Sequence, residues 1–343
     1  MRAQLPVKRL SKDAAMKQRA LIAILGLLTS IGGHSLCSLM AQEGGAALQL
    51  RPTPFKARTA PEIVRDSSDD QPAYELKYKL AAGLTYPSEV IQRLSVQTTI
   101  NGVKEDTVTN SVSIKSWRIE SVEPSGDIRL YHQVDSVKMS QRTTGKAEVS
   151  YDSADGGEIP AEYQSLEGTI GVPLTKVVMN PYGRIAERED LKPQSNPGIG
   201  DLTLALPEEP IREGDSWLVP DEVTVKVSGA PTLIKFRYVY TLLTVRGGLA
   251  TIAFRTEFIT PAASDPRVMS QLVGRMQKGE IKFDIDEGRP LSRTAEIEQA
   301  IVGFAGDNSS MRYDMRATEE FHDGVAIVAS LPEYGPTSGP LPA

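Results

Sequence analysis

The sequence predicts a mainly β protein: a curved antiparallel sheet or half-barrel, built as one unit or as two similar β units, with one packed helix near 265–278. Three observations predict it. Long stretches alternate apolar and polar residues at the strand period, as in Leu94, Val96, Thr98 and Ile100, or Ile234, Phe236, Tyr238, Tyr240 and Leu242. Turn signals, Asn101-Gly102 and Gly247-Gly248, punctuate them. One segment departs to the helical period: Ser264-Asp265-Pro266 offers a cap with proline in the first turn, before Val268, Leu272, Val273 and Met276.

Taken from the start of the chain, residues 1–41 read as an export signal. Arg2, Lys8, Arg9, Lys12, Lys17 and Arg19 precede an uncharged stretch over 20–41, densest at ALIAILGLL, and Leu39-Met40-Ala41 offers a cleavage site before Gln42. A start at Met16 gives a signal of more usual length. The rival reading is an uncleaved anchor, since 22 uncharged residues are enough to span a bilayer and the basic flank would hold the N-terminus inside. Cys37 follows Ser35-Leu36, and a leucine there does not suit lipoprotein processing. Either way the chain is expected to be exported, periplasmic or secreted, or anchored by its N-terminus and facing outward.

Composition then narrows the chemistry. The 343 residues carry 38 Lys+Arg against 44 Asp+Glu, a net charge of −6, with one Cys and three His. Removing 1–41 takes away six bases, one acid, the Cys and His34, which leaves 32 bases against 43 acids, a net charge of −11. An acidic, thiol-free domain is not built for nucleic acid, and disulfides cannot stabilise it. With His132 and His322 remaining and neither in a zinc-ligand spacing, no metal, cofactor or catalytic residue is expected.

Residues 42–73, rich in Pro, Ala, Arg and Asp, have no period and read as a disordered tether; 331–343, with four prolines, reads as a disordered tail. The folded part divides into a first β unit over 74–192 and a second over 193–330. A strict two-residue turn at Asn101-Gly102 would place Val96 opposite Thr107, whereas the next apolar residues are Val108, Val112 and Ile114, so an odd-length loop or a bulge near Gly102 is expected. In the following hairpin, apolar parity slips near 115–116 and again near 135–136, at similar distances from the turn at 123–127. Matched slips predict one long hairpin that bends, as coiled sheets do. A short helix near 201–206 is also expected.

Two segments echo each other. Residues 177–185 (VVMNPYGRI) and 283–291 (FDIDEGRPL) each read as apolar strand, Asn/Asp turn, Gly-Arg, then strand. Duplication and convergent turn chemistry both account for this.

The motif LPEEPIREGDSW at 206–217, followed by a hairpin and then GEIKFD at 279–284 with Gly288-Arg289, resembles uncharacterised bacterial secreted families of unknown function. Their members pair an LPxxP…GDSW segment with a later GxIxFDxxxGR hairpin. Such families are similar in outline to the half-barrels of lipoprotein carriers, so the resemblance implies a curved sheet, an inserted helix and export. It implies no catalytic residues.

The remaining clusters have plain readings. Asp284-Ile285-Asp286-Glu287-Gly288 has calcium-loop acids, but its glycine is fifth and no bidentate Glu follows at the required distance, so a solvated turn is expected. The acidic loop at 152–158 and the run Glu187, Glu189 and Asp190 read as solvated surface. His132 shares parity with Leu130 and Val134 and points into the sheet. The expected function is a non-enzymatic envelope or secreted domain binding a lipid or other apolar ligand between sheet and helix, with Trp217, Leu272, Met276 and His132 as candidate contacts. A scaffolding role with an envelope protein as partner is the alternative, and a hydrolase using acidic residues the third.

Overall fold

The computed structural model describes residues 59–192, 203–227 and 229–326; the expected signal, the first part of the tether and the tail lie outside the described residues. A short strand β1 (Glu62–Val64) precedes the first meander: β2 (Leu84–Ile100), β3 (Val103–Val122), β4 (Ile128–Thr143), the short β5 (Val149–Asp152), β6 (Pro173–Met179) and β7 (Ile185–Asp190). The second meander holds β8 (Ser216–Val227), β9 (Ala230–Arg246), β10 (Leu249–Phe258), β11 (Lys278–Asp284), β12 (Arg289–Val302) and β13 (Ser309–Phe321), and β14 (Val325–Ala326) closes the described chain. Every strand pairing is antiparallel, in the order β1-β8-β9-β10-β11-β12-β13-β2-β3-β4-β6-β7, with β14 beside β2 and β5 beside β4. The strands run as two meanders joined through β13 and β2 into one sheet. The ends, β1 and β7, do not pair, so the sheet is curved and unclosed.

The helix α1 (Pro266–Leu272) shows how strongly the sheet curls. It lies between β10 and β11 in sequence, yet packs on β8 and β12, which have three strands between them. Asp265 caps it by accepting the Arg267 N–H at 2.8 Å, and Pro266 fills the first turn. The helix is shorter than the expected 265–278. A 3₁₀ turn covers Val273–Arg275, and from Lys278 the chain joins the ladder, opposite Arg255 and Glu296. Pairing on both sides of β11 outweighs the helical period there.

Of the two expected slips, only the one on β4 is a bulge: the register shifts between Ile114 and Lys115 with Asp135 as the extra residue, whereas β3 keeps one buried parity from Glu105 through Trp117 and Ile119, its apolar residues merely changing from the outer to the inner face near 115–116. A second shift leaves Glu120 extra. The odd-length loop or bulge expected near Gly102 is absent: Ile100 faces Val103 and Val96 faces Thr107. The apolar-face argument fails there because the buried face of β3 is polar, Glu105, Thr107, Thr109 and Ser111, while Val108, Val112 and Ile114 are only half-buried.

Two segments fill the inside of the curve. A strap over 74–80 buries Leu76, Tyr78 and Leu80, and Tyr74 exchanges backbone bonds with Ile211 at 2.7 and 3.0 Å. A plug at Leu204, Ala205 and Leu206 packs beside it; residues 203–206 form a bend and then an irregular segment rather than the expected helix, and 201–202 lie outside the described residues. Both echoing turns meet the strap. Tyr78 N–H bonds Pro181 at 2.7 Å and Lys79 N–H bonds Gly288 at 2.9 Å. Gly183 and Gly288 both have positive φ, and a Cβ would strike the Leu204 carbonyl and the Tyr78 ring at the first, and Lys79 at the second.

The stretch expected to be tether over 59–73 is partly ordered into the sheet: β1 pairs with Ser216, Trp217 and Leu218 of β8.

Candidate functional site

Asp215 and Trp217 of the GDSW segment are internal. Asp215 has no exposed side-chain surface. Its carboxylate accepts N–H groups from Arg212 at 2.9 Å and from Asp66 and Ser67 at 3.1 Å each, and Arg65 lies 3.6 Å away. Burial alone would raise its pKa, but these donors together hold it below the usual carboxylate range. Trp217 is fully buried, donates Nε1–H to the Ala205 carbonyl at 2.8 Å and stacks on Tyr240 with centroids 5.4 Å apart. It joins plug to sheet.

The other candidate contacts divide. His132, 1% exposed, sits between Trp117 on β3 and Thr175 on β6, and both ring nitrogens lack a hydrogen-bond partner. Burial first, and the charges of Lys115 and Arg188 after it, push its pKa down to about 3, so the ring is neutral. Leu272 packs with Val225, Ile234, Ala263 and Val268 in a satellite cluster under α1, and Met276 is half-buried against both this cluster and the main core. The fold thus brings Leu272 and Met276 together and leaves His132 in the first meander.

Beneath the arm formed by α1 and residues 273–277 lies an aromatic face. Phe236, Tyr238 and Tyr240 follow one another on β9, with ring centroids 5.6 and 6.3 Å apart, and Phe254 and Phe258 of β10 extend the face. Two guanidinium groups lie on it: Arg275 is 5.4 Å from the Phe236 centroid and Arg293 is 4.9 Å from that of Phe254. Arg293 also donates to Gln277 Oε1 at 3.2 Å, and nearby Thr256 Oγ1 is buried without a partner. Nothing in the linear sequence pairs Arg275 with Arg293; the arm and β12 must first be folded onto the same rings.

The outer face carries a second recess, a cleft of about 770 Å³ crossing β9 to β13. Cross-strand partners form its rows: Val239, Arg255, Lys278, Glu296 and Arg316 in one, Thr241, Ala253, Glu280, Thr294 and Thr318 in the next.

The acidic clusters are held by local contacts. Asp152 caps a 3₁₀ turn through Ala154 N–H at 3.0 Å and meets Lys138 Nζ at 3.1 Å. Asp284 Oδ1 accepts the Glu287 N–H at 2.8 Å within the β11–β12 turn. Lys79 Nζ faces the Ile285 and Asp286 carbonyls at 3.0 and 3.2 Å. Among the described residues no three His, Cys, Asp or Glu side chains converge as a metal site would need.

No family model matches the chain, and no curated protein matches it. Among solved structures it is similar to lipovitellin, in a structure described for its lipid–protein interactions, with a TM-score of 0.43 and 11% identity over 74% of this chain; the match spans only 26% of that longer protein. It is also similar to the β domain of a Bordetella autotransporter, Brka, with a TM-score of 0.26 and 10% identity over 68% of this chain and 98% of that one. A DUF1329 family protein from Desulfovibrio piger matches with a TM-score of 0.13 and 8% identity over 73% and 88% of the two chains.

Proposed function

We propose that this chain is an exported, non-enzymatic binding domain of the cell envelope that holds an amphipathic lipid between the arm and the sheet. The observation that carries this reading is the pair Arg275, on the arm, and Arg293, on β12, set over Phe236 and Phe254. The acyl chain would lie along the aromatic face, with its anionic head at the guanidinium groups. α1 buries Val268 and Leu272 in a small satellite cluster, while Met269 packs on the main core and Val273 belongs to it, so a gate opening here would uncover the edge of both. Binding would displace Met276 and neighbouring apolar side chains and bury the acyl chain in their place.

A scaffolding role is the second reading. It is favoured by the dense main core, in which Trp217, Phe236 and Phe283 are fully buried. The two separate in one experiment. The chain without residues 1–41 is purified from the envelope, extracted with organic solvent and analysed by mass spectrometry, then titrated with a fluorescent fatty acid. Lipid in the extract, and fatty-acid binding weakened by Arg275→Ala with Arg293→Ala, support the carrier. A lipid-free extract with no fatty-acid binding overturns it.

A further inference from the structure

We propose that the outer cleft across β9–β13 is a second binding site, for an extended anionic polysaccharide, and that Arg93 and Arg316 are its anchoring cations. Arg316 on β13 and Arg93 on β2 are direct cross-strand partners on the solvent face, both exposed. Like charges placed opposite each other in a ladder destabilise a sheet. Among the described residues neither makes an ion pair or a hydrogen bond. The chain has 44 acids, so the shortage is not one of composition. The nearest acid in register, Glu296, is opposite Arg316 but turns its carboxylate to Lys278 Nζ at 3.1 Å. Along the same row Arg255 is held by Glu257 at 2.7 Å. Two arginines are therefore left facing solvent at the end of a row whose other cations are already matched.

The shape of the site points to a chain running across the strands. Groups in one row repeat at the strand spacing, about 4.8 Å, close to the repeat of an extended hexose chain. The neighbouring row offers Thr241, Thr294 and Thr318 hydroxyls with the small Ala253 between them, which suits hydroxyl-rich rings better than acyl chains. Glu280 is the one acid of that row, which puts the sugar carboxylates on the arginine row and the ring hydroxyls over the threonines. The hydroxyl-lined row favours sugar rings over stacked bases, and the recess disfavours a flat membrane. This site lies on the face opposite the arm, so it does not depend on the lipid reading.

The test is isothermal titration of the full chain, freed of its signal, with an oligogalacturonate, and in parallel with a neutral oligogalactan and with phosphatidylglycerol vesicles. The expected result is binding of the uronate alone, weakened by added salt. Arg93→Ala with Arg316→Ala is expected to lower uronate affinity about tenfold or more, the value of one or two charged hydrogen bonds. The same variant should melt at or above the parent temperature, because a like-charge pair has been removed, so loss of binding cannot be ascribed to unfolding. Absence of uronate binding, equal binding of the neutral glycan, unchanged affinity in the double variant, or binding of the vesicles in place of the glycan overturns the proposal.

Discussion

Tyr78 and Lys79, adjacent in an extended strap, donate their backbone N–H groups to two different hairpin turns, at Pro181 and Gly288, 2.7 and 2.9 Å away. Those turns are the echoing segments of the sequence, one from each meander. The echo is thus a pair of docking turns on one strap, and each glycine is needed where the strap passes too close for a Cβ.

Gly183→Ala and Gly288→Ala should each destabilise the protein by more than about 1 kcal/mol, since a positive φ and a steric clash act together. Urea unfolding checks this. Hydrogen exchange should show the loss first in 74–83, and a protected strap in either variant would contradict the account.

Trp217→Ala should cost about 3–5 kcal/mol, because it opens a large cavity in the centre of the core and leaves the Ala205 carbonyl unbonded. Trp217→Phe keeps most of the packing and should cost less. A small effect of the alanine variant on the unfolding midpoint would mean the ring is not part of the core.

His132 gives a pH dependence whose sign is fixed. Its folded pKa of about 3 lies below the ordinary 6.5, so its contribution to stability is complete above pH 6.5 and is lost as pH falls toward 3. The slope should approach about 1.4 kcal/mol per pH unit. His132→Leu should flatten that part of the curve and hold or raise stability near neutrality, because two buried unbonded nitrogens are removed. Chemical denaturation at a series of pH values reads it.

Asp215 predicts acid release of β1. Its folded pKa is depressed, so the stability it supplies is present above the unfolded value of about 4 and is lost on further acidification. Asp215→Asn should free residues 59–67 at neutral pH, seen as protease cleavage there while the rest of the sheet stays intact. Equal protection of β1 in parent and variant would refute the latch.

The α1 arm should also guard a sheet edge. Gln271 accepts the Lys226 N–H at 3.1 Å and donates to the Lys226 carbonyl at 2.9 Å, as a neighbouring strand would. Pro220 on the same strand has no N–H to offer, and the Glu222 N–H goes to Asp221 Oδ1 at 2.8 Å. Gln271→Ala should cost about 1 kcal/mol and increase self-association, measured by denaturation and by light scattering. An unchanged monomer at high concentration would count against it.

Strand content, most turns and the site of the bend were legible because they are local. Alternation in Phe236, Tyr238 and Tyr240, and glycine at Gly248, report the backbone directly. The parity slip near 135–136 exposed the Asp135 bulge without any partner strand being known. The Gly102 register was misjudged because the inside of β3 is polar, and periodicity assumes that the buried face is the apolar one. The candidate sites were the least legible. Arg275 with Arg293, and Arg93 with Arg316, are far apart in sequence and meet only through the arm or the ladder.

By itself the sequence determined a β-rich chain with its turns, its helix cap and its two glycine-marked hairpins, since each depends on dihedral preference and short-range periodicity. Only the tertiary structure decided that two meanders share one sheet, that a segment resembling tether becomes β1, and that Asp215 and Trp217 are internal fasteners. Those outcomes depend on which distant backbone groups find each other. Pairing across the ladder and burial against the strap are long-range energies that no local window contains.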